Sequence, residues 1–238
     1  MKAYITKNLW GYEQLNPAPQ LLDDSFFKFY ITDDVNSKEH LLNNGWDDII
    51  VIENYKHITN LKERRRIISE INCFPGKYIE NLNNFEKVFN VDSNVISLWN
   101  DFLTFTNSCP DDKCLYITSG WYDGARNSII AELRESNQSR WSYDYESMKL
   151  SVDNYKNEIE NLGIDFYSIP VISAKYFGWN INHPEYETIS NHFYKEYTKH
   201  LQGNIILSYL SSIYKNDIFE YRISNYIGGE ISSHKFLG

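Results

Sequence analysis

Short apolar runs rich in β-branched and aromatic residues alternate with polar stretches through the first half of the chain. The pattern predicts strands at Ala3–Thr6, Phe26–Thr32, Ile49–Ile52 and Val88–Val91, with a helix from about Asn60 to Asn72 before the last of them. Further on it predicts a helical stretch near Ile96–Phe105, a strand at Cys114–Thr118 ending in Ser119-Gly120, and, after the polar stretch Glu135–Ser142, a helix from about Ser147 to Leu162 stopped by Gly163. Phe166–Ser173 reads as another strand, and His183-Pro184 precedes one or two helices through Tyr214, broken or bent near Gly203. Strands alternating with helical periods define an α/β fold with a mostly parallel central sheet flanked by helices, and a helical C-terminal part. A chain of 238 residues can bury one sizeable core, and no repeat or low-complexity linker divides it, so a single domain over residues 1–238 is expected.

Composition narrows the function classes. A net charge of −9 argues against a duplex nucleic-acid binder, which needs a cationic face to displace counterions. The 19 tyrosines, 13 phenylalanines and 6 tryptophans supply rings that can pack on the C–H face of a sugar, although most such rings are core. Cys73, Cys109 and Cys114 are an odd number with no second pair to complete a zinc site, so reduced thiols are expected. The N-terminal segment lacks the apolar region of a signal peptide and no stretch has the length of a membrane span, which reads as a soluble cytoplasmic chain.

Candidate chemistry begins at Asp92-Ser93-Asn94, directly after the strand at Val88–Val91. Side chains two positions apart on extended backbone point the same way, here toward the crevice where open α/β sheets hold ligands. An acid followed by a second oxygen-bearing side chain can hold a divalent cation against a diphosphate, and hard oxygen ligands suit Mn²⁺ or Mg²⁺. The same triplet also starts an ordinary turn. Two other strand ends weigh on the choice: Thr6 leads into Lys7–Tyr12 with the rings of Trp10 and Tyr12, and Phe26–Thr32 ends in Asp33-Asp34. In a parallel sheet these ends share one edge with Asp92, where a ring can stack on a nucleotide base and a carboxylate can accept from a ribose hydroxyl or base N–H.

On the helix at Asn60–Asn72, Leu61, Ile67, Ile68 and Ile71 define an inward face, with Arg64 near its centre, Arg65 on its flank and Arg66 pointing elsewhere. A cation in an apolar stripe requires an anion, either a structural carboxylate or a bound diphosphate. The segment Trp121–Glu132 places Asp123, Arg126 and Glu132 at a strand-to-helix junction, where they serve equally as cap and ion pair or as acceptor contact and general base. His192, Glu196 and His200 recur at i, i+4, i+8 on one helix face, a spacing shared by metal-ligand ladders and exposed polar stripes. Gly203, between Gln202 and Asn204, can bring backbone close to a ligand.

Taken together, Tyr4-Ile5-Thr6 ahead of Trp10-Gly11-Tyr12, then Phe29-Tyr30-Ile31-Thr32-Asp33-Asp34, the arginine-rich helix and Phe89-Asn90-Val91-Asp92-Ser93-Asn94 resemble the nucleotide-sugar glycosyltransferases of the GT-A fold. More narrowly, the chain resembles the short transferase-like domains related to plant mucilage and cell-wall proteins, and those with which large DNA viruses glycosylate capsid proteins. The resemblance is best over the first 100 residues and extends weakly to about Tyr214. It implies a GT-A-like, Rossmann-like fold with a nucleotide-sugar-binding half at 1–100 and an acceptor-binding half at 101–238. It further implies that Asp33 or Asp34 lies near base and ribose, that Arg64 and Arg65 face the phosphates, and that Asp92 belongs to the D-x-D metal motif, with Asn94 as its second, neutral ligand.

Two further departures stand out: Asp123-Gly-Ala-Arg126 where relatives often carry His-Pro-x-Arg, and Gln202-Gly203-Asn204 where some carry Arg-Asp-Gln. The expected activity is metal-assisted transfer of a sugar from a nucleoside diphosphate donor, UDP-linked, to a glycan or glycoprotein hydroxyl. Thr6, Lys7, Trp10, Tyr12, Asp33, Asp34, Arg64, Arg65, Asp92, Ser93 and Asn94 would bind the donor, and Arg126, Gln202 and Asn204 the acceptor. Asp123 is the first candidate base ahead of His200, and His192 or His200 could complete the metal site. A bacterial or viral setting follows from the lack of a membrane anchor, with the host cytoplasm as location if viral. The rivals are a catalytically silent carbohydrate- or partner-binding domain of the same fold, and a sugar-phosphate nucleotidyltransferase. The latter ranks lower because no Gly-rich phosphate loop follows the first strand.

Overall fold

The computed structural model describes residues 1–11, 15–92, 102–120, 128–138, 144–200 and 202–223. Seven strands among them form one sheet: β1 (Lys2–Asn8), β2 (Phe26–Thr32), β3 (Asp48–Val51), β4 (Lys87–Val91), β5 (Leu115–Ser119), β6 (Tyr176–Trp179) and β7 (Ile218–Arg222), in the order β3-β2-β1-β4-β6-β5-β7. All neighbours pair in parallel except β6, which runs antiparallel to β4 and β5. The helices are α1 (Lys38–Asn43), α2 (Leu61–Cys73), α3 (Phe102–Ser108), α4 (Ile129–Gln138), α5 (Tyr145–Asn161), α6 (Tyr186–Lys199) and α7 (Gly203–Ile213). The mixed α/β architecture read from the sequence is therefore the observed one.

Period-two alternation divides the core between the faces of the sheet. On β2, Phe29 and Ile31 join Ala3, Ile5 and Val88 under Ile67 and Ile71 of α2, whereas Phe26 and Tyr30 join Tyr4 and Phe89 against Phe102 of α3. A third cluster packs Leu115, Ile117, Phe177 and Trp179 against α4 to α7. At the centre of the sheet Gly178 is required by packing, since a Cβ there would lie 2.6 Å from the Phe89 ring. The predicted stop of α5 is also present: Gly163 follows with φ 75°, which a side chain resists.

The strand predicted at Phe166–Ser173 is instead a 3₁₀ turn over Phe166–Ser168, capped by Asp165, whose side chain accepts from the Tyr167 amide at 3.0 Å. Pro170 withholds a ladder donor, and the strand forms six residues further on at Tyr176–Trp179. Phe166, Ile169, Val171 and Ile172 are nevertheless buried, so their apolar run reported burial rather than extension. The short polar helix α1 and the edge strand β7, of whose residues only Ile218 is buried, escaped the periodicity reading. On α2, Ile67 and Ile71 are buried as expected and Ile68 is half-buried, but Leu61 is 47% exposed. It occupies the first helical position beside the Asn60 cap, whose side chain accepts from the Glu63 amide at 3.1 Å, and that turn projects past the core.

Candidate functional site

Every parallel strand ends on the same edge of the sheet, and this edge gathers the polar ends of β1, β2 and β4. Thr6 stitches two of them together, its hydroxyl donating to the Val91 carbonyl at 2.9 Å inside the core. Beyond β1 the chain turns through Trp10, whose φ of 62° is unusual for a bulky residue. Three contacts hold that turn. The Trp10 amide donates to Asp33 Oδ2 at 3.0 Å, its indole N–H donates to the Tyr55 carbonyl at 2.8 Å, and the Arg64 guanidinium lies over its ring at 5.1 Å. Arg64 is fixed in turn by its Nε, which donates to the Ile58 carbonyl at 2.7 Å. Asp34 caps the following 3₁₀ turn, accepting from the Asn36 amide at 3.1 Å.

A second constellation lies beside the first. The register that pairs Ile5 with Asn90 carries Lys7 and Asp92 forward on the same face of the sheet. Lys7 is only 5% exposed; burial lowers its pKa, and the Asp92 carboxylate acts against that shift. The Asp92 amide donates to the Lys175 carbonyl at 3.1 Å, which fixes the start of the loop after β4. Tyr197 of α6 closes the cluster. Burial raises its phenol pKa, while a hydrogen bond with Arg65 opposes the rise. Burial likewise pushes the nearby Cys73 thiol up, so it is a neutral neighbour. The helix-face assignment thus places Arg64 and Arg65, both half-buried, at the sheet edge, while exposed Arg66 reaches the Thr198 carbonyl at 3.4 Å.

Asn90 lies on the same face as Lys7, 1% exposed, with neither its amide oxygen nor its nitrogen hydrogen-bonded to the protein. Leaving both groups unmade is costly, so Asn90→Leu should raise unfolding stability by about 1–2 kcal/mol in urea titrations. A loss of stability would instead show that ordered water serves the amide.

The remaining sequence candidates divide clearly. Gln202 Nε2 donates to Ser136 Oγ at 3.2 Å, and Asn204 donates to Glu132 Oε1 at 3.1 Å while accepting from the Ala174 amide at 2.9 Å. These bonds tie the start of α7 to α4 and to the approach of β6. His200 is fully buried: Tyr155 Oη lies 3.0 Å from its Nε2, and the Gln202 amide 3.4 Å from its Nδ1. Burial pushes its pKa down to about 4, against the raising effects of Asp144 and Glu196. Glu196 accepts from Tyr155 Oη at 2.8 Å and from Lys199 Nζ at 2.6 Å, with His192 Nε2 3.7 Å away. Burial alone would raise the Glu196 pKa, but the hydrogen bonds from His192, Lys199 and Tyr155 outweigh it and bring it to about 2. His192 Nδ1 faces the Tyr214 hydroxyl at 2.9 Å, so the i, i+4, i+8 ladder is an internal hydrogen-bond network. Among the described residues, no group of three or more His, Cys, Asp or Glu is placed to hold a metal ion. Tyr12, Ser93, Asn94, Asp123 and Arg126 lie outside the described residues.

A cleft of about 460 Å³, lined by Val35, Val51, Ile52, Glu53, Asn54, Tyr55 and Tyr78, opens where β2 and β3 end. It adjoins the Trp10 turn through Tyr55. Sequence reasoning missed Tyr55, Tyr197 and the placing of Lys7 and Asp92 on one face of the sheet. Only strand register could have revealed the last, because the two residues are far apart in the chain.

The fold is similar to that of GT-A-type glycosyltransferases. Among solved structures, mouse xyloside xylosyltransferase 1 is similar with a TM-score of 0.51 and 8% identity, over 93% of this chain and 85% of that one. WbbM, a bifunctional glycosyltransferase, is similar with a TM-score of 0.53 and 8% identity, over 92% of this chain but 38% of that one. No protein-family model matches the sequence, and no curated protein sequence does. No helix among the described residues is long and apolar enough to cross a membrane.

Proposed function

We propose that the chain is a glycosyltransferase that moves a sugar from a UDP-linked donor to a hydroxyl of a glycan or glycoprotein. The observation that carries this reading is the meeting of Trp10, Asp33 and Arg64 with Lys7, Asp92 and Arg65 at the carboxyl edge of a sheet with GT-A strand order. Residues 1–100 would supply the donor half and residues 101–238 the acceptor half. The Trp10 turn and Asp33 seat the nucleoside, beside the cleft at Tyr55. Arg64 and Arg65 face the diphosphate and stabilise the negative charge that grows on it as the glycosidic C–O bond breaks. For an inverting reaction, Asp123 takes the proton of the acceptor hydroxyl in preference to His200, whose ring is enclosed. Gln202 and Asn204 act on the acceptor side by positioning α4.

Asp92 at the end of β4, with Asn94, would hold a Mn²⁺ or Mg²⁺ ion, which would supply positive charge to the diphosphate. No step is assigned to a metal here.

Calorimetric titration with UDP, UDP-sugars and other nucleoside diphosphates tests the reading, with donor hydrolysis and transfer followed in parallel. UDP binding with sugar release is the expected result; no binding of any nucleoside diphosphate would sink it. Binding without turnover would favour a silent binding domain. Arg64→Ala should weaken UDP binding by about tenfold or more and Arg66→Ala by little, because a guanidinium at a phosphate forms charge-assisted bonds. Equal effects would remove Arg64 from the donor site.

A further inference from the structure

We propose that the cleft between α5 and α6 is a glycan-binding site, separate from the donor edge and carried on the acceptor half of the chain. Its place in transfer rests on the glycosyltransferase reading above, whereas its affinity for a sugar can be measured without it.

The cleft encloses about 450 Å³, and small-molecule sites commonly run from about 300 to 1,000 Å³. Two polar stripes face each other across it. Ser151, Asn154 and Glu158 recur at helical spacing on α5, and His192, Lys195 and Lys199 repeat the same spacing on α6. The floor is held by packing. The rings of Tyr155 and Tyr209, from α5 and α7, stack within 11° of parallel at 3.9 Å between centroids, and the His192 ring meets Tyr209 edge-on at 5.6 Å. Deeper in, Glu196, with 4% of its side chain exposed, accepts from Tyr155 Oη at 2.8 Å and from Lys199 Nζ at 2.6 Å. That carboxylate is fully engaged. Tyr209 donates to Oε2 of Glu158, which leaves Oε1 to the cleft. Among the described residues, the Lys195 ammonium and the side-chain amides of Asn154 and Asn157 have no protein partner.

These groups select the ligand. Lys195 and the amide nitrogens are donors, Glu158 Oε1 and the amide oxygens are acceptors, and a sugar hydroxyl is both, so neighbouring hydroxyls can satisfy the two kinds together. Charge disfavours the alternatives. With His192 neutral, the carboxylates of Glu158 and Glu196 balance the ammoniums of Lys195 and Lys199, so neither a phosphate nor a cation gains from the local field. The two tyrosines are each 2% exposed, which leaves no ring face for an apolar ligand. The last turn of α6 joins the cleft to the donor edge: Lys199 lines the cleft, and the carbonyl of Thr198, its neighbour in the chain, accepts from Arg66 of α2 at 3.4 Å. A glycan anchored in the cleft would present its free end to the donor edge at a raised effective concentration.

Saturation-transfer NMR on the full chain, with neutral trisaccharides of glucose, xylose or N-acetylglucosamine as probes, tests the site. At least one should bind with a dissociation constant of about 0.1–5 mM. Asn154→Ala combined with Lys195→Ala, both at exposed positions, should weaken that binding by about fivefold or more, and Asn157→Arg, which fills the opening, should do the same. UDP binding should be unchanged in both variants. Circular dichroism establishes that each is folded, and Asn157→Arg decides if the double variant is not. No trisaccharide bound by the wild type at about 20 mM would overturn the inference. So would equal binding by the wild type and the folded variants, or displacement of the sugar by inorganic phosphate. In each of these cases UDP binding leaves the glycosyltransferase reading standing. Sugar binding that the variants lose, in a chain that binds no nucleoside diphosphate, would uphold the cleft and overturn that reading.

Discussion

Asp92→Asn should cost the protein transfer activity and folding stability together. Lys7 is 5% exposed, its burial lowers its pKa and the Asp92 carboxylate acts against that shift, so removing the carboxylate leaves the buried ammonium less compensated. Urea unfolding should show the loss directly. A double-mutant cycle then separates charge from packing: Lys7→Met with Asp92→Asn removes both charges and should be more stable than Asp92→Asn alone. Additive losses would mean that the two side chains do not share a charge. Activity should stay absent in the double variant, because the diphosphate site has lost Lys7 as well. An active Asp92→Asn enzyme would remove Asp92 from the mechanism.

The second large effect is on stability against pH. His200 has a folded pKa of about 4 against an ordinary 6.5, so the unfolded chain takes up its proton first as pH falls. Its contribution is fully present above 6.5 and is lost between 6.5 and about 4, a total of roughly 3 kcal/mol. Glu196 acts in the adjoining window. Its pKa falls from 4.5 to about 2 on folding, so its contribution is present above 4.5 and lost as pH drops toward 2. Stability should therefore decline in one continuous slope from about neutrality into acid. His200→Gln should flatten only the upper part. Equal slopes for wild type and variant between pH 7 and 5 would show that the imidazole is not held neutral.

Much of this arrangement was legible in the sequence because period and strand ends are local properties. Phe26–Thr32 was read to the residue, and the shared edge of Thr6, Asp33 and Asp92 followed from parallel topology alone. The basic helix was readable for the same reason: one turn separates Arg64 from Ile67 and Ile68, so its face follows from spacing. What sequence could not supply were contacts between distant segments. Gln202 and Asn204 looked like ligand groups, yet their partners are Ser136, Glu132 and Ala174, which no spacing relates to them. His200 looked like a candidate base or metal ligand, yet it is buried with Tyr155 of α5 packed against its ring. Phe166–Ile172 misled for a different reason, since an apolar run is equally apolar in a strand or in a buried turn.

The antiparallel strand β6 bears on how the chain is made. It is inserted between β4 and β5, although both precede it in sequence, with β4 its partner some 85 positions earlier, as in Val91 with Tyr176. During synthesis the β4 edge therefore stays unpaired until residue 179 has emerged, and that edge is lined by Phe89 and Val91. Nascent chains would carry an unpaired strand edge from residue 91 to residue 179 of their elongation, a state prone to pairing with other chains. Fragments ending before Tyr176 should accordingly aggregate, and refolding of the intact chain should be slow, limited by a pairing that closes a long loop.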